Sequence, residues 1–265
     1  MQRDVTSRIV LNITEPADLV FAIAVSGHYT PSREQFSATL DGVPQSEVEL
    51  FDAHGTRLHR VRSDVGELVV EYSAAISGAG ATATASEVDL LSYMRPSRYA
   101  ESDALGPTAY AEFAGIDDPA ELLASVSSWV GTRLAYVPGS SLPTDGATRT
   151  LLARKGVCRD YAHLCVALLR GLGIPARQVA VYAPGLYPMD FHAVAEAWIG
   201  EAWRVVDATT LAPRQTLVRI ATGRDAADTA FLTVVSGRAE LGGVEVSAIV
   251  DALPFDDITL PVSIA

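Results

Sequence analysis

A chain of 265 residues, 49% hydrophobic and 20% charged, has the composition of a globular protein with room for two domains, which excludes a disordered or fibrous chain. Its formal net charge of −12 and isoelectric point near 4.8 argue against nucleic acid, whose phosphates need a basic face, and against an anionic membrane surface. No apolar run approaches the roughly 20 residues that span a bilayer.

From Ser7 to about Ser77 the pattern predicts strands over Arg8–Ile13, Leu19–Val25, Gln35–Leu40, Val48–Phe51 and Glu67–Ile76, rich in β-branched residues and often alternating. Asp41-Gly42 and His54-Gly55 are turn signals between them, and Pro16, Pro31 and Pro44 interrupt the runs. This reads as an antiparallel β-sandwich, with His28, His54 and His59 as scattered surface or loop histidines. The small-residue stretch 77–85 buries little and serves as a linker. Two domains are therefore expected, 1–86 and 87–265, the second with its core at about 120–210.

In the second part, Asp118 and Pro119 make an N-cap and first helical position, and Leu122, Val126, Trp129 and Val130 keep the helical period to about Tyr136. A short helix follows Pro143–Gly146 and ends at Lys155, with Gly156 as its stop. From Cys158 the apolar positions Tyr161, Leu164, Cys165, Leu168 and Leu169 recur at three and four, so Cys158 heads a buried helix ended by Gly171, Gly173 and Pro175. Strands are predicted over Arg177–Ala183, Ala193–Ile199 and Trp203–Val206, the last two joined by the tight turn Gly200-Glu201. Strand-like runs at Phe231–Val235 and Val244–Ile249 complete the sheet or pack between domains. The fold class is α+β, a helix packed on an antiparallel sheet after an N-terminal β region.

A cysteine at a helix N-terminus is chemically poised, because unpaired N–H groups and the positive dipole end favour the thiolate, which is the attacking form. His192 opens one strand of the predicted hairpin and Asp207 follows the other, so antiparallel pairing brings imidazole and carboxylate into reach. Cys158, His192 and Asp207 then supply nucleophile, base and orienting group. The backbone N–H of Cys158 offers a place for an oxyanion. Cys165 lies seven residues on, two helical turns and about 10 Å away, too far for a disulfide. Free thiols and the absence of a signal-like apolar stretch near Met1 suit a reducing cytoplasm. His163 is expected on a helix flank, and Asp160 and Asp145 as capping or surface groups. Glu196, four past His192 on the same strand face, is either a support for it or a solvated residue.

Gly156-Val157-Cys158-Arg159-Asp160-Tyr161-Ala162-His163-Leu164, Gly173-Ile174-Pro175-Ala176-Arg177, His192-Ala193-Val194-Ala195-Glu196 and Trp203-Arg204-Val205-Val206-Asp207-Ala208-Thr209 resemble, in order and spacing, the core of bacterial transglutaminase-like cysteine proteases. The resemblance is close over about Tyr136–Thr209 and looser over the N-terminal β region. It implies a papain-like triad of Cys158, His192 and Asp207. Tyr136 matches a tyrosine ahead of Pro-Gly in the family, which leaves it as either a hydroxyl near the site or a packing residue. Arg159 stands where the family commonly has Gln, Tyr161 where it has Phe, Val194 where it often has Trp, and Ala208 where it has Pro. Tyr136 and Arg159 are accordingly the substrate-binding or oxyanion candidates.

The function expected is a thiol-dependent amide hydrolase, a cysteine peptidase or amidase working through a thioester acyl-enzyme on a peptide or amide substrate. Capture of the same intermediate by an amine would make it a protein-glutamine transamidase. From a different class, the fold could serve as a non-catalytic peptide-binding scaffold. No cofactor is expected: no acidic cluster reads as a calcium loop, and His163-x-Cys165 lacks the paired-cysteine spacing of a zinc site.

Overall fold

The computed structural model of the protein describes residues 1–264. Its N-terminal part holds β1 (Gln2–Phe21), β2 (Arg33–Leu40), β3 (Val43–Pro44), β4 (Glu47–Phe51), β5 (Arg57–Ser63) and β6 (Gly66–Ser77). Odd positions of β1 point inward, burying Val5, Ile9, Leu11, Ile13, Leu19 and Phe21, while most even ones face outward. The strands form one antiparallel sheet in the order β3-β2-β6-β1-β5-β4. β6 pairs with residues 2–13 of β1 and β5 with residues 17–21 of the same edge, so the sheet curls and a single hydrogen-bonded sheet builds the β region expected as a sandwich. Pro16 does not break β1 in two. It sits where the ladder with the last strand slips between Glu15 and Asp18, so its missing N–H is not called on. The partner there is Gly237 at φ +80°, where a Cβ would lie 2.1 Å from the Pro16 carbonyl oxygen.

The chain continues through α1 (Glu87–Ser92), α2 (Ser102–Phe113), α3 (Pro119–Arg133), β7 (Ala135–Tyr136), α4 (Ala147–Ala153), β8 (Lys155–Gly156) and α5 (Cys158–Gly171). Asp118 caps α3 by accepting from the Glu121 N–H at 2.8 Å, with Pro119 first in the helix, as the sequence reading has it. α2, which carries Pro107 inside it, was not among the expected elements; it forms because Leu105, Ala109 and Phe113 bury against α3 and α5. α4 ends on Arg154, which takes the left-handed conformation (φ 56°), so Gly156 is not its stop. Instead Lys155–Gly156 pairs in parallel with Ala135–Tyr136.

β9 (Ala176–Tyr182), β10 (His192–Ile199), β11 (Ala202–Val206) and β12 (Val218–Gly223) make a second antiparallel sheet in the order β11-β10-β9-β12. α5 lies across it, burying Tyr161, Leu164, Cys165, Leu168 and Leu169. The last strand, β13 (Leu232–Val250), returns to the first sheet and runs antiparallel along the free edge of β1, from Arg3 opposite Val250 to Phe21 opposite Leu232. The N-terminal sheet thus draws on both sides of the 86/87 boundary. The two sheets also share a core, in which Tyr182, Val218 and Ile220 pack with Phe21 and Ile23. The buried Tyr182 hydroxyl bonds the Ile23 carbonyl at 2.8 Å and Ser7 Oγ at 3.0 Å.

Candidate active site

The β7–β8 pairing sets Tyr136 beside Gly156, two residues before the start of α5. The helix start is fixed by Asp160, whose carboxylate accepts from the Val157 N–H at 2.8 Å and from the Ser141 hydroxyl at 2.9 Å. Gly156 packs so closely on this cap that a Cβ would stand 2.7 Å from that of Asp160. Cys158 therefore occupies the first position of a well-capped helix, half-buried, with the dipole behind it.

His192 and Asp207 reach the cysteine from the β10–β11 hairpin. Gly200 and Glu201, at φ 55° and 60°, form the tight turn, and the register it sets runs from Ile199 opposite Ala202 to Ala195 opposite Val206. His192 at the start of β10 and Asp207 just past β11 meet at 2.9 Å, Nε2 to Oδ2. The other carboxylate oxygen, Oδ1, accepts from the Thr209 N–H at 2.9 Å and its hydroxyl at 2.7 Å. Both side chains are buried. Burial alone would drive the imidazole neutral, but the Asp207 carboxylate and the Cys158 sulfur outweigh it and raise His192 to about 10. Burial likewise opposes ionisation of Asp207, and the His192 and Thr209 contacts reverse that, leaving its carboxyl below the ordinary value. With Nε2 committed to Asp207, Nδ1 is the nitrogen left to serve Cys158.

Tyr136 and Arg159, the two further candidates, part company. Burial first, and then the neighbouring Cys158, push the Tyr136 hydroxyl well above its ordinary pKa, which sets it in the surroundings of the thiol. Arg159 turns instead to the loop before α4: its Nη2 donates to the Leu142 carbonyl at 2.7 Å and to Ser141, close to Asp160. It ties that loop to the helix start. A cavity of about 580 Å³ opens beside Cys158 and His192 and has Arg159 on its wall.

Three residues differ from their sequence reading. His163 is fully buried rather than on a flank; its Nε2 accepts the Ala226 N–H at 3.1 Å, its ring stacks on Tyr99, and burial lowers its pKa to about 3. His59 is buried against Phe36, ring centroids 4.0 Å apart, instead of lying in a loop. Glu196 is also fully buried, bridging Arg177 (2.9 Å) and Arg219 (2.7 Å). Burial opposes its charge, but the two guanidiniums hold it down to about 2. Alternation on β10 was the available signal, since an inward Glu in a strand buried on both faces requires cationic partners. Cys165 lies in the helix interior, its thiol pushed up by burial. Among the described residues no group of three or more His, Cys, Asp or Glu side chains is placed to hold a metal ion. No helix among them is long and apolar enough to cross a membrane.

A half-buried thiol at the head of a helix, packed on an antiparallel sheet that presents a His–Asp pair, is the architecture of a thiol-dependent enzyme. The chain belongs to the transglutaminase-like superfamily, whose family model matches residues 108–208. The solved structure of a Cytophaga hutchinsonii protein, described as a candidate cysteine protease, is 30% identical with a TM-score of 0.86, over 96% of this chain and 92% of that one. An uncharacterised Mycobacterium leprae protein is 27% identical over 172 residues, 56% of this chain and 60% of its own length. One from Mycobacterium tuberculosis is 33% identical over 153 residues, 51% of this chain and 48% of its own length. The chain thus spans about half the length of these curated relatives.

Proposed function

We propose that the protein is a thiol-dependent amide hydrolase, a cysteine peptidase or amidase, in which Cys158, His192 and Asp207 act as nucleophile, base and orienting group. The single observation that carries the reading is the buried 2.9 Å His192–Asp207 contact, with Cys158 the other neighbour that keeps the imidazole charged. In this reading the Cys158 proton already rests on His192 Nδ1, and the thiolate so formed attacks the amide carbonyl. The oxyanion is received by the Cys158 N–H at the helix start, with the Tyr136 hydroxyl beside it. His192 returns the proton to the leaving amine as the C–N bond breaks, leaving a thioester. It then takes a proton from water, whose oxygen attacks the thioester, and the acid and the thiol are released. Asp207 holds the imidazole in the tautomer and orientation that both halves use.

The experiment is mass spectrometry of a peptide library incubated with the protein, with and without a primary amine. Products 18 Da heavier in sum than the parent peptide are expected, and none from Cys158→Ala. Full turnover by the alanine variant would end the proposal, and amine adducts in place of acids would make the reaction a transamidation.

A further inference from the structure

The cavity beside Cys158 and His192 is unlike an open groove in what lines it. Its 580 Å³ are in the range of small-ligand pockets and take a large side chain together with part of its backbone. Phe191 and Phe231 form one wall, stacked with centroids 5.4 Å apart at 22°, and Ala180 and Ile220 line it from β9 and β12. The N-terminal sheet contributes Leu241 and Val244, both on β13.

The polar side chains Arg159, Asp190 and Gln178 on the cavity wall each already hold a partner. Arg159 is engaged with the Leu142 carbonyl, Asp190 lies exposed at the rim with Oδ1 on the Phe191 N–H at 2.7 Å, and Gln178 donates its amide to Thr229 at 3.0 Å. A charged side chain entering here would lose water and meet walls that are mostly apolar, which is costly. The wall at 225–231 is also held in place. His163 accepts the Ala226 N–H, and the Asp225 carboxylate accepts from Ala227 and, at 2.7 Å, from Tyr99. A pocket already held in shape spends little binding energy on ordering.

We propose that this cavity selects peptides carrying a bulky apolar side chain, such as Leu, Met or Phe, beside the scissile amide, and that the N-terminal sheet takes part in the selection through Leu241 and Val244. The inference rests on Cys158 being the nucleophile. It gives the N-terminal sheet a part in catalysis that its sequence does not advertise.

The test is a peptide library randomised on both sides of the scissile bond, read by mass spectrometry, on the full chain and two variants. One methylene in an apolar pocket is worth roughly tenfold or more in kcat/KM, so Leu and Phe should exceed Ala by at least about tenfold at one position. Leu241→Asp, at a residue 53% exposed and so tolerant of the change, should cut that ratio several-fold. Ala230→Trp, which narrows the cavity, should shift the preference to smaller side chains. Cleavage that prefers charged or small residues, or an apolar preference untouched by both variants, would overturn the pocket while leaving the nucleophile standing. A wild-type protein that cleaves nothing, with Cys158 alkylated no faster than a model thiol, would overturn the nucleophile and the pocket with it.

Discussion

Asp207→Asn keeps the shape of the side chain and removes its charge. Asp207 and His192 meet at 2.9 Å with side chains 2% and 0% exposed, so little solvent screens them. Breaking such a pair by removing one partner costs about 3–5 kcal/mol. His192 sits at about 10, above its ordinary 6.5, so the pair's contribution is complete below about pH 6.5 and is lost as pH rises through 10. Asp207 lies below its ordinary 3.8, so its end holds at mildly acidic pH and fails only as acid protonates the carboxylate. The stability gap between wild type and variant is therefore widest near pH 5–6 and closes toward pH 11. For a chain of this size each kcal/mol moves the melting temperature by about 2–4 °C, so the gap near pH 6 should be on the order of 10 °C. Thermal unfolding followed by circular dichroism at pH 5.5 and 10.5 measures it, and amide hydrolysis should fall at least about a hundredfold in parallel. A melting gap of the same size at both pH values would refute the reasoning.

Two further substitutions probe neighbouring parts of the account. Glu196→Gln leaves Arg177 and Arg219 without their shared carboxylate and should cost about 3–5 kcal/mol at pH 7 in urea unfolding. Because Glu196 sits at about 2, its contribution is present above its ordinary 4.5 and lost as pH falls through 2, so the gap should narrow between pH 4.5 and 2; a constant gap would contradict the buried pairing. Tyr136→Phe should lower kcat at least about tenfold with KM little changed, as loss of an oxyanion donor does, whereas an unchanged kcat would assign Tyr136 to packing.

The helix headed by Cys158 and the strands around His192 and Asp207 were legible because each carries a strong local signal: apolar residues at three and four, alternating β-branched runs, and a Gly-Glu turn that fixes the register. What escaped depends on contacts distant in sequence. β5 reads Arg-Leu-His-Arg-Val-Arg-Ser, too charged to announce a strand, yet Val61 and His59 face the core because β1 and β4 flank it. Pro107 hides α2 in the same way, since its helix is held by burial against α5 rather than by propensity. β13 was visible as two short runs, but Gly237, Gly242 and Gly243 hid their continuity. Nothing local tells that this strand returns to β1. His163 looked like a flank residue because the loop that buries it lies more than 60 positions downstream.

The central claim is that His192 activates Cys158, and the chain carries its own control in the buried Cys165, whose thiol is pushed up by burial. Iodoacetamide labelling of the native protein, followed peptide by peptide by mass spectrometry at pH 6–7, compares the two thiols with a model thiol. Cys158 should react faster than the model thiol, slow markedly in His192→Ala, and leave Cys165 unlabelled. Labelling of Cys158 at the model rate, indifferent to the loss of His192, would contradict the account.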